Sequence, residues 1–290
     1  MSRYKFGIIA NTEKTNVPEI LPPFLNWLKQ KGISFLVAAE LKDSINLQDY
    51  PNLPSSEIAG ECDIIWSFGG DGTFLQTARV IAPLEKPIVG VNLGDFGYLT
   101  EVTTSQLHQR VQEILDGEYI VQNRMMLDVT VPGLSTKNRF IGLNDLVIFR
   151  GQFPRTIYIE TYIDGLFLNR FNADGLIIST PTGSTGYSLS AGGPIIEPGS
   201  GVMVINPISP HMMANRPLII PSDKSIEIRT TSQGRLIQVS LDGQLSLEIE
   251  SGSNIFVKRA EFNTRLILFK DHNYFELLRS KLNWRNQIDN

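Results

Sequence analysis

Over roughly its first 120 residues the chain alternates short apolar runs of strand length with longer stretches whose apolar positions recur every three or four residues. YKFGIIA, residues 4–10, reads as a strand. In EILPPFLNWLKQKG the residues Ile20, Phe24, Trp27 and Leu28 fall at helical spacing and Gly32 stops the helix; ISFLVAA, residues 33–39, reads as the next strand. A Pro- and Ser-bearing loop runs from Asp49 to Ser56. Strand DIIWSF, a glycine loop, helix TFLQTARVIA, strand KPIVGVNLG and helix TTSQLHQRVQEILDGE, capped at Thr103 or Thr104, complete the series. Strands and helices in alternation build a parallel sheet covered by helices.

From about Tyr119 the period changes to two. MLDVTV, RFIGLNDLVIF, TIYIETYIDG, LFLNRF, GLIIST, SIEIRT, RLIQVSLDG, NIFVKR and RLILF alternate, with turn signals at Asp164-Gly165, Pro181-Thr182-Gly183, Ser232-Gln233-Gly234 and Asp242-Gly243. The pattern predicts an antiparallel, β-sandwich-like domain of about ten strands. DHNYFELLRSKLNW is helical again and is expected to return to the first domain. The predicted fold is therefore an α/β domain over 1–122, an all-β domain over 123–269 and a C-terminal helical segment over 270–290 packed on the first.

Composition narrows the function classes. A chain of 290 residues is long enough for two domains, and at 42% hydrophobic and 19% charged, with no apolar run of membrane-spanning length, it reads as an ordinary globular protein with no membrane partner. The apolar stretch Phe6 to Ala10 is too short for a signal peptide. The single cysteine, Cys62, leaves no intrachain disulfide, and scattered His108, His211 and His272 argue against structural zinc, so a reducing cytoplasm is the expected setting. A formal charge of −4 argues against a broad nucleic-acid surface. An anionic ligand must then be met by local backbone dipoles, a few basic side chains or a metal ion.

The candidate chemistry begins in FGGDGT, residues 68–73, at a strand-to-helix junction. Gly69, Gly70, Gly72 and Thr73 stand where backbone amides approach a phosphate, although neither a Walker loop nor a G-x-G-x-x-G fingerprint is present. The acid among them, Asp71, suits a phosphoryl-transfer site, where an acceptor hydroxyl must be oriented and lose its proton. The alternative is a tight turn with Asp71 capping a helix that begins at Thr73. A second constellation, DGLIISTPTGSTGYSLSAGGP from Asp174 to Pro194, concentrates hydroxyls, glycines and one aromatic, which suits a ribose and a diphosphate; an Ω-loop satisfying its own polar groups is the other reading. Third, Asn144-Asp145 interrupts an apolar strand. Such a pair is costly to bury unless a partner such as a ribose diol bonds it, or unless it forms a bulge or turn.

FGGDGT, GVNLGDFGYLTE, GLNDLVI, DGLIISTPTGSTGYSLSAGGP, PISPHMMANRP and LDGQ occur in the order and approximate spacing of the NAD kinase family, and the likeness spans most of the chain. GGDGT alone is shared with diacylglycerol-type lipid kinases; the long Ser/Thr/Gly block is more specific. The resemblance implies transfer of the γ-phosphoryl of ATP, or of polyphosphate, to the 2′-hydroxyl of the adenosine ribose of NAD. It implies Asp71 as general base with Gly72 beside it, Asn144 and Asp145 on ribose hydroxyls, and Asp174 toward the nicotinamide. It also implies Thr185, Gly186, Tyr187, Ser188, Leu189 and Ser190 along the nucleotide, Asn92 and Tyr98 on the adenine side, and Gln244 in the late turn. Arg155 is assigned by position alone, and Asn172 stands where several members carry a basic residue. Asp145 is one methylene shorter than the glutamate common there, and Gly186 replaces a frequent alanine. Magnesium is expected to enter on the ATP phosphates, with no dedicated metal site, and members assemble as homodimers or homotetramers. A lipid or sugar kinase, and a dinucleotide sensor without turnover, are the rival readings.

Overall fold

Buried strands and one-sided helices do alternate through the first part of the chain. The computed structural model describes every residue except 1–3, 42–49, 95–96, 135–137, 152–155, 211–215, 233–235 and 285–290. The chain divides into two units, the first made of Met1–Thr77, Lys86–Gln122 and Arg265–Asn290, the second of Ala78–Glu85 and Asn123–Thr264.

The first unit is built from β1 (Lys5–Ala10), α1 (Val17–Gln30), β2 (Ser34–Ala38), β3 (Asn52–Leu53), α2 (Ser55–Glu61), β4 (Ile64–Gly69), the start of α3 (Asp71–Ile81), β5 (Pro87–Asn92), β6 (Val102–Thr103) and α4 (Leu107–Leu115). Its sheet is parallel in the order β3-β2-β1-β4-β5, with β6 beside the end of β5. The order reverses between β1 and β4, and in such sheets ligands bind beyond the carboxyl ends of the strands at that point. FGGDGT leaves β4 there.

Helix α1 buries Val17, Leu21, Phe24, Leu25 and Leu28. Of the four residues expected on its inner face, Ile20 and Trp27 are only half-buried, and Trp27 stacks on His108 with ring centroids 4.3 Å apart. Thr103 and Gln106 form a reciprocal capping box ahead of α4, so Thr103 is the cap. Within the expected 49–56 loop lie β3 and the start of α2, a short helix that buries Ile58 and Ala59. Cys62, which follows α2, is buried, and burial pushes its thiol up to about 11. After the last strand, α6 (Tyr274–Lys281) returns to the first unit, capped by Asn273, whose side chain accepts from the amides of Phe275 and Glu276.

In the second unit two antiparallel sheets share one core. One orders β11 (Leu166–Ala173), β10 (Ile157–Ile163), β15 (Ile226–Thr231) and β18 (Asn254–Phe269), with β7 (Tyr119–Thr130) and β8 (Arg139–Gly142) paired to each other. The other orders β14 (Leu218–Pro221), β13 (Val202–Ile208), β12 (Gly175–Ser179), β9 (Asp145–Phe149), β16 (Ile237–Leu241) and β17 (Leu245–Ile249). Ile157, Ile159, Ile226 and Ile228 of the first sheet meet Leu146, Ile148, Ile178 and Ile205 of the second, as period-two alternation requires of a sandwich.

Three differences from the expected strands have local causes. NIFVKR and RLILF are one 16-residue strand, β18. RFIGLNDLVIF is two strands, because the chain turns at Leu143-Asn144. The strands β13, β14 and β17 were not expected; β13 carries Asn206-Pro207 near its end, which interrupts its apolar pattern. Among the described residues no helix is long and apolar enough to cross a membrane.

Candidate active site

Asp71 is the first residue of α3, so the helix starts two residues before the capping alternative requires. Its carboxylate faces the segment 97–100. Oδ2 accepts from the Tyr98 amide at 2.7 Å, while Oδ1 accepts from the amides of Leu99 at 3.0 Å and Thr100 at 3.2 Å and from the Thr100 hydroxyl at 3.2 Å. Two glycines make this seat possible. A Cβ on Gly97 would lie 1.9 Å from Asp71 Oδ1, and one on Gly90 would lie 2.3 Å from the Leu99 carbonyl oxygen. Burial, and then the charge of Asp71, hold the Tyr98 phenol above its ordinary value.

The neighbouring glycines differ in purpose. Gly69 ends β4 with the Thr73 side chain packed on it, since a Cβ there would stand 2.1 Å from Thr73 Oγ1. Gly70 has no atom within 4 Å of a Cβ position and no left-handed torsion, so neither crowding nor conformation demands glycine; its bareness leaves room beside the first turn of α3. The amides of a first helical turn have no acceptor within the helix. Gly72 is exposed and Thr73 buried. Asn92, 6% exposed, accepts from the Gly94 amide at 2.7 Å, and its Nδ2 has no partner among the described residues. Lys14, which the sequence reading passed over, brings its ammonium within 3.7 Å of a Cβ position on Gly94.

The second unit gathers Asn144, Asp145, Asp174 and Tyr187 around a cavity of about 500 Å³, together with Arg150 and Asp242. The turn between β8 and β9 is held from both sides. The buried carboxylate of Asp242 accepts the amides of Leu143 at 3.0 Å, Asn144 at 2.7 Å and Asp145 at 3.3 Å, and the Asp242 amide donates to the Asp145 carbonyl at 2.9 Å. Thr180 donates its hydroxyl to the Leu143 carbonyl at 2.6 Å and its amide to that of Asn144 at 2.9 Å. A Cβ on Gly183 would lie 2.1 Å from the Asn144 carbonyl oxygen. The backbone of the corner is thus satisfied internally, while Asn144 Oδ1 has no hydrogen-bond partner among the described residues. Asp145 is 4% exposed, and burial, then the charge of Asp242, push its carboxyl up to about 7.

Arg79, on the portion of α3 that belongs to this unit, pairs with Asp242 at 3.0 Å and also donates to the Gln244 side chain. Arg150 pairs with Asp174 at 2.7 Å. Asp242, Arg79 and Arg150 were not among the sequence candidates. Asp242 reads as a turn residue in LDGQ, and only tertiary structure reveals its burial.

The remaining candidates scatter in role. Gly186 lies beside the corner, where a Cβ would be 3.7 Å from Asn144 Nδ2 and 3.8 Å from Asp145 Oδ2. Thr185 turns its hydroxyl to the Thr182 carbonyl at 3.2 Å. In the short helix α5 (Tyr187–Ser190) Tyr187 and Ser190 are exposed and Leu189 is half-buried, but Ser188 is fully buried under Asn206, whose Nδ2 reaches the Ser188 carbonyl at 3.0 Å. Asn172 lies in β11, its buried Oδ1 without a partner among the described residues. Arg155 falls outside the described residues.

Two family descriptions match the chain: ATP-NAD kinase N-terminal domain over residues 6–119 and ATP-NAD kinase C-terminal domain over residues 143–269. An NAD kinase of Geotalea daltonii is 41% identical over 282 residues, 97% of this chain and 98% of its own length. One from Moorella thermoacetica is 37% identical over 278 residues, covering 96% and 89%. Among solved structures, yeast NADH kinase complexed with NADH superposes with a TM-score of 0.87 at 25% identity, over 99% of this chain and 89% of that one. An NAD kinase from Archaeoglobus fulgidus in complex with ATP gives 0.74 at 24% identity, over 97% and 100%, a likeness of fold.

Proposed function

The chain belongs to the NAD kinase family and is a phosphotransferase acting on NAD, and from that premise we propose that it moves the γ-phosphoryl of ATP to the 2′-hydroxyl of the adenosine ribose, with Asp71 as general base. The observation that carries this reading is the seat of Asp71. A base must be oriented and must keep a lone pair for the incoming proton. Among the described residues, three of the bonds to the carboxylate fall on Oδ1, and Oδ2 takes only the Tyr98 amide. In the proposed step the ribose hydroxyl gives its proton to Asp71 Oδ2 as its oxygen attacks the γ-phosphorus. The bond from that phosphorus to the β,γ-bridging oxygen breaks, and ADP leaves.

Gly70 and the first turn of α3 would meet phosphate oxygens, with Gly69, Gly72 and Thr73 shaping the same loop. Asn144 and Asp145 would hold ribose hydroxyls, and Asp174, steadied by Arg150, would face the nicotinamide end. A divalent cation, magnesium by expectation, would arrive as part of the donor. The carboxylate of Asp71 is already engaged by four donors, so the oxygens that suit a hard cation are those of the phosphates. A homodimeric or homotetrameric assembly and a cytoplasmic setting belong to the same proposal.

The test supplies purified protein with NAD, magnesium and either γ-labelled ATP or polyphosphate, and locates the label. Label on the adenosine 2′-phosphate of NADP is expected. Dinucleotide binding with no NADP from either donor would leave a sensor and overturn the proposal.

A further inference from the structure

The sugar-binding role given to Asn144 and Asp145 raises the question of what holds them, and the answer is a buried ion. The carboxylate of Asp242 is wholly inaccessible, and its bonds run to backbone amides and to Arg79. It takes the amide protons of Leu143, Asn144 and Asp145 and returns its own amide to the Asp145 carbonyl. A neutral side chain with one acceptor oxygen cannot take three amides and a guanidinium at once. The packing is also close: a Cβ on Gly142 would meet the Leu241 side chain at 2.9 Å and Asp242 Oδ1 at 3.1 Å. A buried carboxylate of this kind survives only with a counter-charge, which Arg79 supplies at 3.0 Å.

Resting on the ribose-binding reading above, we infer that Asp242, clamped by Arg79, is a positioning residue of the reaction: it sets the Asn144–Asp145 corner from behind and governs how NAD is bound without touching it.

The charge of Asp242 has a second consequence. Because it opposes ionisation of Asp145, and because a carboxylate receives ribose hydroxyls better than a carboxylic acid does, NAD affinity should rise as pH increases through about 7. Among the described residues, the other titratable groups lining the cavity are Arg150 and Asp174, paired with each other, and Tyr187. They are left intact in every variant below.

The experiment measures KM and kcat for NAD across pH 5.5–8.5, with thermal melts, for the full chain and for Asn144→Ala, Asp242→Asn, Arg79→Met and Arg79→Lys. Asp242→Asn should raise KM about tenfold with kcat held within about threefold. Its KM–pH midpoint should move down, because the charge opposing Asp145 is gone. Arg79→Met should move the midpoint up, since Asp242 then acts without its counter-ion, and Arg79→Lys should bring it back. Opposite shifts in two variants that are both less stable are beyond a role in folding alone. If both variants melt earlier but the midpoint stays put, or moves the same way in both, the inference is overturned while the ribose reading stands. Should Asp242→Asn not fold, the Arg79 pair carries the test. An unchanged KM in Asn144→Ala would instead sink the ribose reading, and this inference with it.

Discussion

The two units hold their acids by opposite means. In the first, Asp71 is partly open to solvent and is fixed by donors, three amides and a hydroxyl from one short segment, with glycine clearance where the segment passes. In the second, Asp145 is almost wholly buried at the wall of the cavity beside a second carboxylate, and its ionisation is discouraged. Donors orient a carboxylate, as a proton acceptor needs; burial beside like charge makes a carboxylate responsive, as a group that must recognise a polar ligand can exploit. The contrast separates residues expected to govern turnover from those expected to govern binding.

The sharpest way to break it is Asp71→Asn, which keeps shape and removes the proton acceptor. Turnover should fall roughly 10²- to 10⁴-fold, with KM for NAD within about tenfold. A variant that keeps most of its kcat would end the base assignment. Gly97→Ala tests the seat alone. The added methyl stands 1.9 Å from Asp71 Oδ1, so the carboxylate must move, and kcat should drop by roughly tenfold to a hundredfold; steady-state rates at wild-type levels would mean the seat has no part in catalysis.

The smallest effect concerns stability. The folded Asp145 carboxyl titrates near 7 against an ordinary value of 3.8, so between those values the folded protein keeps a proton that the unfolded chain has lost. Stability should therefore decline as pH rises from 4 to 7, by a few degrees in melting temperature, and Asp145→Asn should abolish that share of the decline. Parallel melting curves for the two proteins over this range would contradict the buried, responsive acid.

What was legible in the sequence is what local pattern can encode. Alternation marked the parallel strands and most of the sandwich, and the glycine loop announced itself by position after DIIWSF. Residues that act on the candidates from a distance were silent. Gly97 meets Asp71 from beyond β5, and Asp242 meets Asn144 from a turn that reads as ordinary. Arg79 sits in a helix whose pattern gives no hint of a buried partner. Helix α2 was hidden because only Ile58 and Ala59 turn inward, too few for a periodic signal. Ser188 shows the converse: it belongs to the most telling motif in the chain, yet its hydroxyl faces Asn206.

Cys62 gives the first unit a built-in probe. A thiol this deeply covered and this reluctant to ionise will ignore an alkylating reagent while the fold is closed, so the rate of labelling reports how often that half of the molecule opens. With no second cysteine to confuse the signal, one mass measurement per time point would clock the opening without any engineered tag.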